Sequence, residues 1–212
     1  MPQKTARVFN VLAQQSFISK YTLVGGTALS LQVGHRLSED LDFVMDEEQI
    51  NANTIKRNIA KLFPGFRIIR QDNGWQIDFV VEEVKLTFFS AGAVGINFDV
   101  QKHAFAYQKM RICDIETIAS LKMATIAQRN TIRDYYDLYI IVKNHVFLKD
   151  IIGKTKSLMP ELSPITYTET LVYANDIEEE SIAMHLSPAE IVTKNQIADF
   201  FIRELRKIKN EI

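Results

Sequence analysis

An apolar run, Tyr21-Thr22-Leu23-Val24, stops at two adjacent glycines and gives way to Thr27-Ala28-Leu29-Ser30, and this junction restricts the fold more tightly than any other stretch. The run reads as a buried strand. Gly25 and Gly26 carry no Cβ, so the backbone there can turn sharply and approach a ligand closely. The next residues open a helix, whose first amides lack intrahelical acceptors and sit at the positive end of the helix dipole. Phosphate is the natural guest of such a terminus, and the hydroxyl of Thr27 offers a further donor. One short helix later comes Ser38-Glu39-Asp40-Leu41-Asp42-Phe43-Val44. Period-two alternation places the Asp40 and Asp42 carboxylates on one face of a strand and sends Leu41 and Phe43 into the core. Two neighbouring carboxylates repel unless a cation neutralises them, and hard oxygen ligands beside phosphate favour Mg²⁺. An isolated Asp-x-Asp would be read as a solvated turn and an edge-strand charge. Joined to the glycine turn, Asp40 and Asp42 predict a metal ion in a nucleotide-handling site.

The rest of the chain supplies a scaffold for that unit. Val8, Val11 and Leu12 recur at helical spacing near the start. Ile50, Ile55, Ile59, Leu62 and Phe63 form a second helical pattern that Pro64-Gly65 ends. Phe66 to Ile69, Trp75 to Val81 and Val84 to Phe89 read as strands joined at Asp72-Asn73-Gly74 and Glu82-Glu83. Ala91 to Asn97 reads as a connecting loop and Gln108 to Ile112 as a further short strand. Asp114 is a credible N-cap for a helix carrying Ile118, Leu121, Ala124 and Ile126 inward. Helices broken by Pro160 and Pro164 follow, then an acidic turn at Asp176 to Glu180 and a last helix after Pro188. The expected class is α/β (α+β), a small mixed β-sheet flanked by helices with a C-terminal helical part. The expected division is a core over 1–112 and a helical part over 113–212 packed on it as a single structural unit.

Composition narrows the function. The chain has 212 residues and a formal net charge of −1, so no global basic field draws it onto nucleic acid. Basic residues cluster locally, at Lys56-Arg57 and Lys61, over Lys122 to Arg133, and at Arg203, Arg206, Lys207 and Lys209, the last group reading as the solvated face of an amphipathic helix. No apolar run approaches the ~20 residues that span a bilayer. Met1-Pro2-Gln3-Lys4-Thr5 lacks the pattern of a secretory signal, and the expected location is cytoplasmic. The single Cys113 reads as a small core residue.

Other candidates carry two readings each. Asp78 stands between Ile77 and Phe79, where an acid either faces solvent or serves a site. Lys122, Arg129, Arg133 and Asp137 form a helical stripe suited to gripping triphosphate, or an exposed face with Arg133 and Asp137 as an ordinary ion pair. Arg36 could neutralise phosphate, whereas a lone His35 reads as a hydrogen-bonded structural residue and Ser38 as a turn cap. Trp75, Tyr135 and Tyr136 could stack a base but read more simply as core.

Three segments, Gly25-Gly26-Thr27-Ala28-Leu29, His35-Arg36-Leu37-Ser38 and Asp40-Leu41-Asp42-Phe43, together resemble the nucleotidyltransferase-like AbiEii/AbiGii toxin family of the DNA polymerase β-type superfamily. The resemblance continues through Asp114 to Lys122, Arg129, and Arg133-Asp134-Tyr135-Tyr136-Asp137-Leu138-Tyr139. It implies a Mg²⁺-dependent enzyme that moves a nucleotidyl group from an NTP to an acceptor hydroxyl, with tRNA or another RNA as acceptor, a separate antitoxin chain as partner, and a place in a toxin–antitoxin or phage-defence pair. It implies catalytic roles for Asp40, Asp42, Lys122 and Asp134 or Asp137, with Asp78 assisting, and nucleotide contacts from Gly25, Gly26, Thr27, Arg36, Lys122 and Arg129. The family's third acid falls on the strand after Asp78, where this chain has Thr87. A phosphotransferase acting on protein, or a catalytically silent nucleotide-binding module, are the alternatives in the same pocket.

Overall fold

The computed structural model describes residues 1–92, 96, 97 and 99–209, and the chain divides into two compact units. The first comprises Met1–Leu31 and Ser38–Asp114; the second comprises Gln32–Leu37 and Ile115–Ile212. The six residues 32–37 belong to the second unit although the chain around them belongs to the first.

The first unit is built on a seven-stranded sheet with the order β3-β4-β5-β2-β1-β7-β6. Its strands are β1 (Thr22–Val24), β2 (Leu41–Met45), β3 (Arg67–Asp72), β4 (Gln76–Val81), β5 (Val84–Ser90), β6 (Ala104–Tyr107) and β7 (Met110–Cys113). β1 runs parallel to β7 and β2 parallel to β5, while the remaining pairs are antiparallel. Three helices accompany the sheet: α1 (Gln3–Ala13), α2 (Gly25–Val33) and α3 (Ala52–Leu62). Alternation sorts the central strands into two rows. Leu41 pairs with Leu86 and Phe43 with Phe88, all fully buried, and the Phe43 and Phe88 rings stack at 5.0 Å with Tyr21 edge-on to Phe88 at 5.1 Å. The intervening row carries Asp42, Thr87 and Asp78 side by side.

The sheet is larger than the sequence indicated. β6 is a strand that the sequence reading does not include, and β7 starts two residues later than expected; the hairpin between them turns at Gln108 with φ +54°. The loop expected over Ala91 to Asn97 lies partly outside the described residues. At the other hairpin both Glu82 and Glu83 adopt left-handed backbone, φ +51° and +69°, which such two-residue turns require and which Asn-Gly usually supplies. Ion pairs from Arg7 to Glu82 and Lys4 to Glu83 tie this turn to α1.

The second unit contains α4 (Ile115–Ile126), α5 (Ile132–Asn144), α6 (Leu148–Leu158), α7 (Pro164–Thr170) and α8 (Lys194–Lys209). Pro164 occupies the first turn of α7, where its missing N–H leaves no bond unmade. Tyr135, Tyr136, Tyr167 and Phe201 are fully buried in this part of the chain, so the two α5 tyrosines are core. Trp75 of the first unit is exposed. Leu121, expected inward, is half-buried, and Lys122 beside it is buried. Cys113 is buried, as a core residue should be. Among the described residues no helix is long and apolar enough to cross a membrane.

Candidate functional site

The strand β1 passes into α2 without an intervening loop, so Gly25 is both the end of the turn and the first helical residue. Its φ of +71° lies in the left-handed region that a side chain disfavours. A Cβ built there would come 2.8 Å from Asp42 Oδ2, closer than real Cβ atoms come to any such neighbour. The carboxylate therefore occupies the space that the missing side chain leaves. The pairing of Val24 with Asp42 in the β1–β2 register explains why: Gly25 follows immediately on one strand as Asp42 projects from the other. The glycine turn and the Asp42 side chain of the acidic strand lie close against each other.

Exposure follows the same pattern. Gly25, Gly26, Asp40 and Asp42 are each half-buried, while Val24, Thr27, Leu41 and Phe43 around them are buried. β2 begins at Leu41, so Asp40 is the residue entering the strand. Its backbone is fixed by Thr27, whose hydroxyl donates to the Asp40 carbonyl and lies 2.9 Å from Ser38 Oγ. The Glu39 carbonyl is held likewise by Thr5 Oγ1 at 3.0 Å. Thr27 is 1% exposed, so its side chain faces inward. The expectation of a ligand-facing Thr27 hydroxyl is corrected to a brace for Asp40; only its amide remains a candidate donor. Ser38 serves in the same brace.

Asp78 lies on the same face as Asp42, two strands away, with Thr87 between them. It is 3% exposed, accepts a hydrogen bond from Gln76 Nε2 at 2.8 Å and pairs with Lys85 Nζ at 3.4 Å. Strands spaced ~4.8 Å apart put its Cα roughly 10 Å from that of Asp42. Asp78 is neutralised locally, and the position beside Asp42 belongs to Thr87. Thr87 Oγ1 is buried and has no hydrogen-bond partner.

A metal must draw on what is present. Among the described residues no three His, Cys, Asp or Glu side chains converge as a self-sufficient cage. Two carboxylates next to phosphate-binding amides suit Mg²⁺, which keeps several waters and is commonly held by one or two carboxylates together with substrate phosphates. Asp40 and Asp42 fit that role.

The second unit assembles its own charged cluster. Asp137, fully buried, accepts from Arg36 Nε at 2.6 Å and Nη2 at 2.8 Å, faces His35 Nε2 at 2.8 Å and pairs with Lys122 Nζ at 2.7 Å. Asp134 takes Lys122 Nζ at 2.6 Å, Arg129 Nε at 2.9 Å and Thr131 Oγ1 at 2.7 Å. Burial alone would raise the Asp137 carboxyl, but Lys122 and Arg36 outweigh it and hold it far below the carboxylate range. Asp134 is affected the same way: burial pushes up, Lys122 and Arg129 pull down, and the group ends at about 2. For Lys122 burial disfavours the charge, yet Asp137 and Asp134 raise it above its ordinary value. Arg36, a candidate for neutralising phosphate, is instead 6% exposed and bound bidentately to Asp137. Lys122 is likewise turned inward, and the predicted Arg133–Asp137 pair is replaced by Arg36, His35 and Lys122, with Arg133 exposed. Arg129 keeps an exposed side chain, 63% accessible, at the rim. His35 as an anchored structural residue agrees with expectation; its bond to Asp137, 102 positions away, had no sequence signature.

Comparison with known proteins bears on both units. The family model for the nucleotidyl transferase AbiEii toxin of type IV toxin–antitoxin systems matches residues 7–159. An uncharacterized protein of Aquifex aeolicus (strain VF5) is 30% identical over 162 residues, covering 76% of each chain. The crystal structure of JHP933 from Helicobacter pylori matches with a TM-score of 0.51 at 17% identity, over 98% of this chain and 94% of that one. A second H. pylori structure, described as a candidate nucleotidyltransferase, gives a TM-score of 0.51 at 18% identity and covers 98% of both chains. At such identities the two structures establish a shared fold.

Proposed function

The chain belongs to the AbiEii nucleotidyl transferase toxin family, and on that premise we propose that it moves a nucleotidyl group from an NTP to a hydroxyl of an RNA acceptor, tRNA foremost, with Mg²⁺ held by Asp40 and Asp42. The observation that supports this reading is the close approach of Gly25 to the Asp42 carboxylate, a helix start suited to an anion beside a side chain suited to a cation. Amides of Gly25, Gly26 and Thr27 bind the nucleotide's phosphates. Asp40 and Asp42 orient the cation, and the Thr27 brace keeps Asp40 in place. A bound Mg²⁺ supplies charge neutralisation at the phosphates and at the leaving pyrophosphate. The acceptor oxygen forms its bond to the α-phosphorus as the bond to pyrophosphate breaks. Asp78 assists by fixing Lys85 on the same face.

In the second unit Lys122, Asp134 and Asp137 hold one another and leave the Arg129 side chain exposed and suited to an anionic group. Membership of a toxin–antitoxin family makes a separate antitoxin chain the partner, and a cytoplasmic location suits NTP and tRNA as reactants.

Incubation with α- or γ-labelled NTPs, Mg²⁺ and total RNA tests the reading. Label passes to RNA from the α-position, and Asp42→Asn lowers the rate by ~10³-fold, the scale of losing one electrostatic stabiliser, while the melting temperature holds. Label transferred from the γ-position to protein would establish a phosphotransferase instead. No transfer from either would leave a nucleotide-binding module.

A further inference from the structure

Thr87 is 6% exposed and its Oγ1 makes no hydrogen bond, a condition a folded protein normally avoids because a buried hydroxyl stripped of water and left unpaired is costly. Its place in the sheet suggests what satisfies it. Thr87 is the in-register neighbour of Asp42 on parallel strands, so the two side chains leave the same face ~4.8 Å apart at Cα. Gln76, on the same strand as Asp78, and Lys85, two residues from Thr87 on β5, engage Asp78, and Asp78 does not bond Thr87. Thr22, another unpartnered strand hydroxyl, sits opposite Val44, two residues further from the glycine turn, with no acid at its side.

We propose that Thr87 is a positioning residue for the cation site: its hydroxyl accepts a hydrogen bond from a water in the shell of the divalent ion held by Asp42 and Asp40. This inference rests on the metal reading above. Water bound to a divalent ion is a strong donor, and Mg²⁺ retains several such waters. A hydroxyl at this position orients a water and adds no charge. The protein then contributes two negative charges, matching one divalent ion. Outer-shell partners of this kind typically govern metal affinity by 10–100-fold.

The test is Mn²⁺ titration of the full chain, followed by electron paramagnetic resonance of the free ion, with thermal melting of each apo variant. Thr87→Val removes the hydroxyl at nearly constant volume and is expected to weaken Mn²⁺ binding ~10-fold while the apo melting temperature stays the same or rises. Thr87→Ser restores affinity to within about threefold of the parent chain. Unchanged Mn²⁺ affinity in Thr87→Val overturns the proposal. So does weakened binding that comes with a lower melting temperature and is not rescued by Thr87→Ser, which would mark Thr87 as a packing residue. Asp42→Asn serves as control: if the parent chain shows no Mn²⁺ binding that this substitution abolishes, the metal reading itself falls and takes the Thr87 proposal with it. Abolished binding in Asp42→Asn with an indifferent Thr87→Val sinks the Thr87 role alone.

Discussion

Two acidic clusters with opposite characters occupy the two units. Around Asp134 and Asp137 the carboxylates are buried and taken up by Lys122, Arg36, Arg129, His35 and Thr131. Around Asp40 and Asp42 the carboxylates are half-buried, a backbone glycine is pressed against one of them, and the neighbouring Thr87 hydroxyl has no partner. In the first arrangement both carboxylates are paired with buried cations, so removing a member exposes uncompensated charge, while His35 Nδ1 makes no hydrogen bond. In the second, the unpartnered atom is the buried Thr87 hydroxyl.

The contrast is broken most forcefully at Asp137. Replacing it by Ala leaves Arg36 and Lys122 buried with too little opposite charge, and a loss of ~3–5 kcal/mol in urea unfolding is expected. A loss below ~1 kcal/mol would show that the second cluster is not the framework its geometry implies.

Acid sharpens the same distinction with a smaller effect. Asp134 has a folded value of about 2 against ~3.9 in an unfolded chain. A depressed carboxyl stabilises the fold above its unfolded value and loses that contribution as pH falls through the folded one. About 2 kcal/mol should therefore disappear between roughly pH 4 and pH 2. Lys122 behaves oppositely at the other extreme: its raised value gives stability present below ~10.4 and lost as pH climbs past the folded value. Urea midpoints measured across both ranges check the two signs, and Asp134→Asn should flatten the acid limb.

The smallest effect belongs to Gly25→Ala. Left-handed backbone costs a residue with a Cβ ~1–2 kcal/mol, and the new methyl group must displace the Asp42 carboxylate. A drop of a few degrees in melting temperature with a disproportionate fall in nucleotidyl transfer is expected. Equal stability and activity would mean that the glycine is dispensable there.

Local chemistry made the first cluster legible. A glycine that only a left-handed turn needs, an acid two residues from another acid, and a helix start are all features of neighbouring residues, and their meeting follows from strand pairing. The second cluster depends on His35 and Arg36 finding Asp137, a contact between positions about a hundred apart that no periodicity encodes. Reading Lys122 through Asp137 as one helical stripe failed because the helix ends at Ile126 and α5 starts at Ile132, so Lys122 and Asp137 stand on different helices and meet by packing rather than by spacing. Thr27 misled differently. A hydroxyl at a helix start serves either a ligand or a nearby carbonyl, and the Asp40 carbonyl was close enough to claim it. β6 escaped notice because it is an exposed four-residue edge with little hydrophobic alternation.

The assignment of residues 32–37 to the second unit has a topological consequence. The backbone leaves the first unit after Leu31, returns at Ser38 and departs again after Asp114, so the two bodies are interlaced along the chain. No single cut separates them. A fragment ending at Asp114 would carry His35 and Arg36 without the carboxylate that anchors them, one residue short of the segment leading into Asp40.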